Sequence, residues 1–205
     1  MAASGASVAD EPSAGNRRQA IISSASAVFA PRPHSRIDSS LAPEERPGCM
    51  SISPWLIRED DLSNRQTRDL VLLHLEGMHA HSPPGSVFAL DLSGLTEPSV
   101  TVWTIWRADS IAGIGALKDF GGGTGELKSM RTHPDFLHRG VAATLLEHII
   151  DVARARGMAQ LSLETGSGPY FEPALALYRG RGFADGEAFA DYKRSPFNQF
   201  LHLRL

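Results

Sequence analysis

Residues 133–146, "HPDFLHRGVAATLL", place a proline and a basic turn ending in Gly140 directly before a run of helical period. Val141, Leu145, Ile149 and Val152 fall on one stripe, so the spacing predicts a helix from about Arg139 to Arg156, with Gly157 as its stop signal. The first turn of a helix carries N–H groups with no intrahelical acceptor and a partial positive charge. Glycine at that entrance removes side chains from the backbone and lets an anionic group such as a phosphate come close.

On either side of this helix, "ELKSMRT" and "AQLSLET" read as strands. Upstream, "SPWLIRE" (53–59) reads as a first strand, and residues 63–81 as a helix with Ser63 as its cap and Leu70, Leu73 and Gly77 on one face. "HSPPGS" ends that helix, and a poorly periodic stretch runs to Pro98. "SVTVWTIWR" and "SIAGIGALKDF" are strand-like runs around the turn "ADS", and "GGGTG" makes a second hairpin connection. Downstream, "EPALALYRGRGF" reads as a helix with Pro173 in its first turn and Gly180 or Gly182 at its end. Strands near 183–192 and 198–205 complete the pattern.

The chain has 205 residues, 42% of them hydrophobic, enough to bury one core, which is assigned to residues 50–205. Residues 1–49 are rich in Ala, Ser, Gly and Pro and read as a disordered or weakly ordered extension. A targeting peptide is the alternative, against which Asp10 and Glu11 argue; an over-extended translation start before Met50 is a third reading. A net charge of -3 without a basic block argues against nucleic acid as a partner. The single Cys49 excludes an intramolecular disulfide framework and a cysteine-rich zinc site, and fits a reducing cytoplasm. No apolar run approaches the ~18 residues of a membrane span.

Residues 123–184 resemble the core of the GNAT superfamily, the acyl-CoA-dependent N-acetyltransferases, and in particular a subgroup of small single-domain bacterial members. The family's pyrophosphate motif, Q/R-x-x-G-x-G/A, matches Leu137, His138, Arg139, Gly140, Val141 and Ala142, with Ala143 next on the first helical turn. Leu137 departs from it: an apolar side chain stands in the Gln/Arg slot, which leaves the backbone cradle intact and puts cofactor affinity in question. "SMRTHP" is similar to the family strand whose backbone pairs with the pantetheine arm, at Met130 and Thr132. "ALALYRGRGF" is similar to the helix whose tyrosine points at the cofactor sulfur. The resemblance implies an α/β (α+β) fold: a mixed, mostly antiparallel sheet of about six to seven strands, splayed at a cofactor helix and flanked by about four helices. It also implies acetyl-CoA as co-substrate and a small-molecule amine as acceptor, with pairing of two copies through the terminal strands or the second sheet edge left open.

Acetyl transfer to an amine needs a base, donors for the oxyanion and an acid for the thiolate. The resemblance gives Tyr178 as the acid, against a packing tyrosine one turn beyond Leu175, and the Met130 N–H as the oxyanion donor. Glu126 matches the glutamate base of several members and, at period two with Lys128, Met130 and Thr132, is expected on their sheet face; the competing reading is a surface glutamate neutralised by Lys128. Glu164, beside the expected splay, is a second candidate for base or for binding the acceptor's ammonium, against a sheet-edge salt bridge with an arginine.

For the acceptor, His79 and His81 lie beside stiffening prolines, and Arg131, on the face opposite Met130, offers a fork for a carboxylate, each against an ordinary surface role. His74, His79 and His81 make a poor metal set, since 79 leaves the helix face of 74 and no carboxylate completes it. Two other readings compete. A catalytically degenerate acyl-CoA sensor is favoured by Leu137 and opposed by Tyr178; a Rossmann nucleotide binder is suggested by "GIGALK" and "GGGTG", neither of which enters a helix at the required spacing.

Overall fold

Alternating apolar residues build a meander of three long strands in the computed structural model, which describes residues 54–205. The extension expected over 1–49, Cys49 and Met50 lie outside the described residues. The elements are β1 (Leu56–Glu59), α1 (Arg65–His81), α2 (Leu92–Leu95), β2 (Val100–Arg107), β3 (Ser110–Gly121) and β4 (Thr124–Thr132). After a 3-10 turn at Pro134–Phe136 come α3 (Val141–Ala155), β5 (Gln160–Gly166), α4 (Glu172–Arg179), β6 (Ala184–Asp185) and β7 (Asn198–Arg204). The seven strands form one sheet in the order β1-β2-β3-β4-β5-β7-β6, antiparallel at every junction except β4–β5. This is the mixed, mostly antiparallel sheet with four helices that the resemblance implies.

Three local readings are corrected. The cap of α1 is Asn64, whose side chain accepts from the Gln66 N–H, while the Ser63 N–H is taken by Asp61. The poorly periodic stretch holds the short α2, capped by Asp91 through the Gly94 N–H. The strand expected over 183–192 shrinks to β6, because Phe189 and Tyr192 turn back to pack on one another and on Phe200.

The helices cover both faces of the sheet. Leu70 and Val71 of α1 share a cluster with Ile114 and Ala116 on one face, and Leu145 and Ile149 of α3 pack with Leu117 and Leu127 on the other. Gly113 and Gly115 alternate with Ile114 and Ala116, so beneath Val141, Leu145 and Ile149 the floor lacks side chains at these two positions. A Cβ at Gly113 would meet Val141 Cγ1 at 3.0 Å, and one at Gly115 would meet Ile149 Cδ1 at 3.0 Å and Met130 Sδ at 2.5 Å. "GIGALK" is therefore packing sequence beneath a helix.

The most consequential correction lies in β4. Ile114 pairs with Arg131 but Ala116 with Lys128, so two residues, Ser129 and Met130, oppose Gly115, and Ser129 takes φ 52°. This bulge reverses the alternation. Glu126 and Lys128 stay on the α1 face, whereas Met130 reaches Gly115 beneath α3, so the face expected to be common to 126, 128, 130 and 132 is divided.

Because Gly115 leaves no free volume, Gly115→Ala should destabilise the domain by about 1–3 kcal/mol. Urea denaturation would register this as a lower midpoint at unchanged slope.

Candidate active site

Parallel pairing between β4 and β5 is confined to Thr124↔Gln160, Gly125↔Leu161 and Glu126↔Ser162. Past that point the strands diverge and open a slot of about 610 Å³ between Lys128–Thr132 of β4, Leu163–Thr165 of β5, the start of α3 and the inner face of α4. Beyond Glu126 the slot-facing edge of β4 has no strand partner among the described residues, so its backbone can pair with an extended ligand.

The α3 entrance forms one end of the slot. His133 Nδ1 accepts from the Asp135 N–H at 3.3 Å, and after the 3-10 turn His138 and Gly140 take φ 58° and 80°. Gly140 caps α3 with no side-chain bond, and the first bonded helix residue is Thr144, whose N–H donates to the Gly140 carbonyl at 2.9 Å. The N–H groups of Val141, Ala142 and Ala143 therefore lack intrahelical acceptors where they line the slot, the arrangement that receives phosphate oxygens. Met130, Thr132, Leu137, His138 and Gly140 line it too, Leu137 half-exposed at 50%. Arg139 stands apart from the lining, its guanidinium 5.6 Å from the Phe136 ring centre.

The titratable groups sort by depth. Tyr178 on α4 lines the slot with its ring 5.8 Å from that of Phe183, and burial pushes its phenol pKa up. Glu164 on β5 also lines the slot, with no ion pair or hydrogen bond among the described residues. Burial pushes its carboxyl up to about 7, opposed by the Lys128 charge and reinforced by that of Glu126. Glu126 lies behind the lining at 2% exposure. Its Oε1 accepts from Tyr192 Oη at 2.7 Å and from Lys128 Nζ at 3.2 Å. Lys128 Nζ donates further to the Phe88 carbonyl and to Tyr192 Oη. The pairing of Glu126 with Lys128 weighed from sequence is present, buried rather than at the surface.

The acetyltransferase (GNAT) family pattern matches residues 64–183. The chain belongs to this family. Among its relatives, the uncharacterized N-acetyltransferase YedL of Escherichia coli (strain K12) is 48% identical over 151 residues, 74% of this chain and 95% of that protein. The IAA acetyltransferase of Azospirillum brasilense is 38% identical over 120 residues, 58% of this chain and 77% of that one. A solved Bacillus subtilis acetyltransferase in complex with CoA superposes with a TM-score of 0.56 at 20% identity, across 74% of this chain and 99% of that one. No helix among the described residues is long and apolar enough to cross a membrane.

In this GNAT chain the other end of the slot is built from α1 and the loop before α4. Arg131 Nη1 donates to Tyr170 Oη at 2.7 Å, and the Tyr170 ring stacks on His81, centroids 3.8 Å apart and planes 7° from parallel. His81 Nδ1 is bonded to the Gly77 carbonyl at 2.8 Å. Arg131 and Tyr170 line the slot; His81 reaches it only through Tyr170, and His79 is exposed outside the lining. Sequence reasoning missed Tyr170, Tyr192 and the burial of His74. Tyr192 is 66 residues from Glu126, in a loop with no periodic signal.

His74 is buried against the slot, where loss of hydration and the charges of Arg131 and Lys128 hold its pKa at about 4 instead of 6.5. Between those values the unfolded chain binds a proton that the fold refuses. Stability is therefore full above pH 6.5 and declines as pH falls towards 4, by about 3 kcal/mol from this one group. Denaturation at pH 7 and 4.5 should show a smaller drop for His74→Gln than for the natural chain.

Proposed function

We propose that this acetyltransferase moves an acetyl group from acetyl-CoA directly to a primary amine of a small molecule, with Glu164 as base and Tyr178 as acid. The observation that carries the reading is Glu164, a slot-lining carboxyl without a partner among the described residues and poised near 7, in the same slot as Tyr178. An amine arrives mostly as ammonium, and a carboxylate with a pKa near neutrality is suited to take its proton. The freed nitrogen attacks the thioester carbon, forming C–N; the tetrahedral intermediate collapses with cleavage of C–S. The leaving thiolate takes the proton of the buried Tyr178 phenol, the surplus proton of the newly bonded nitrogen restores that phenol, and the proton held by Glu164 passes to solvent.

The same reading keeps acetyl-CoA on the α3 entrance through Leu137, His138 and the N–H groups of residues 140–143, and along β4 at Met130 and Thr132. The N–H of Met130 is the assigned oxyanion donor, set beside the Ser129 bulge. Glu126 is the weaker base candidate, because both Lys128 and Tyr192 occupy its carboxylate away from the lining. A small-molecule acceptor is favoured over a basic peptide because the sequence carries no long acidic run to hold one.

Calorimetric titration with acetyl-CoA, followed by free-thiol release with a pooled set of amines, tests the whole reading; binding without any release would favour the acyl-CoA sensor. Glu164 must be ionised to act, so kcat/KM should fall about tenfold per pH unit below about 7, and Glu164→Gln should remove that limb and at least about 100-fold of the rate. Tyr178→Phe should lower kcat by roughly 100-fold or more while acetyl-CoA binding persists. An unchanged rate at every pH would remove Tyr178 from the mechanism.

A further inference from the structure

Two cations of β4 line the slot, and they differ in what they face. Lys128 is neutralised by Glu126 at 3.2 Å and saturated by Tyr192 and the Phe88 carbonyl. Arg131 has no carboxylate partner among the described residues. Its Nη1 is held by Tyr170, and among the described residues its buried Nε has no hydrogen bond and Nη2 makes none. The unmade edge of the guanidinium is thus Nε–Nη2; Nε is enclosed, and Nη2 is the donor that offers a carboxylate oxygen a charge-assisted bond.

The arrangement around Arg131 holds this edge in place. Tyr170 fixes Nη1, His81 stacks on Tyr170, and His81 is tied to the Gly77 carbonyl of α1. His74 on the same wall stays neutral and brings no competing charge. Across the slot lies Glu164, itself without an ion pair among the described residues. One unmatched cation and one unmatched carboxyl in one cavity form a two-ended electrostatic pattern. A dianionic phosphate fits it poorly, since its second charge would oppose Glu164.

We propose that the acceptor is an amine that also carries a carboxylate, as a free α-amino acid does, with Arg131 binding the carboxylate while the amine faces Glu164. This rests on the transferase reading for the amine end and on Arg131 alone for the acid end.

The test uses the full chain, acetyl-CoA and a panel of L-amino acids, each paired with its primary carboxamide and its N-acetyl derivative. Thiol release should favour the acid over its amide by roughly 10–100-fold in kcat/KM, the range expected for a charge-assisted pair. Arg131→Gln should bring the acids down to the level of the amides, so that the acid-to-amide ratio in kcat/KM falls to about one. Arg131→Lys should fall between, keeping the charge without the fork, and Tyr170→Phe should weaken the acids severalfold by freeing Nη1. Equal use of acids and amides by the natural chain, or equal loss of both in Arg131→Gln, would overturn the proposal.

Calorimetric titration with the N-acetyl amino acids reads the same contact without turnover. If these bind the natural chain but not Arg131→Gln while no thiol is released, the carboxylate site stands and the transferase reading falls. If no amino acid is acetylated and no N-acetyl amino acid binds, the carboxylate site falls, whatever other amine proves active.

Discussion

Loss of pairing between β4 and β5 after Glu126 and Ser162 is the constraint on which the rest of the structure depends. A parallel pair would ordinarily continue, because backbone N–H and C=O groups left without partners are costly unless water or a ligand satisfies them. Here the strands part, with the Ser129 bulge on one and the slot-lining face of α4 near the other. Both sides of the opening then carry function: a free backbone edge, a helix entrance stripped by Gly140, and side chains from β5 and α4.

The splay also divides charge by depth. Glu126 sits at the last paired position, where the sheet is still closed, and becomes part of a buried group with Lys128 and Tyr192. Glu164 lies two residues beyond the last position at which β5 pairs with β4, where the slot has opened, and is left with burial but without a side-chain partner among the described residues. Two carboxylates that look equivalent in sequence acquire opposite characters from where the pairing stops. An ion pair as enclosed as Glu126–Lys128 contributes little net stability against its own desolvation, but removing one member would leave a charge that the site cannot hydrate.

Three of the helices, α1, α3 and α4, the strand order of the meander and the α3 entrance were legible in the sequence because each rests on local signals: the stripe from Val141 to Val152, the "GGGTG" turn, Gly140 before an apolar run. The likeness of "ALALYRGRGF" to its family counterpart located Tyr178. What the sequence concealed was non-local. Period two put Met130 on the face of Glu126, and only a bulge across from Gly115 reverses it, with no glycine or proline to announce it. The short β6 escaped because "ADGEAFADY" has apolar spacing that serves aromatic packing on Phe200 instead of a strand edge. The partners that fix Arg131 and Glu126 come from 39 and 66 residues away, beyond the reach of any window.

The placement of Tyr192 and β7 bears on how the polypeptide is made. β7 lies between β5 and β6, so the sheet stays open on that side until residues 198–204 arrive. Tyr192, which closes the Glu126–Lys128 group, is also among the last residues of the fold to leave the ribosome. During synthesis the meander and α3 can form from neighbouring segments, whereas Glu126 and Lys128 on its last strand gain their tyrosine partner only when residue 192 has been added. The sheet is therefore completed only after nearly all of the domain has been translated.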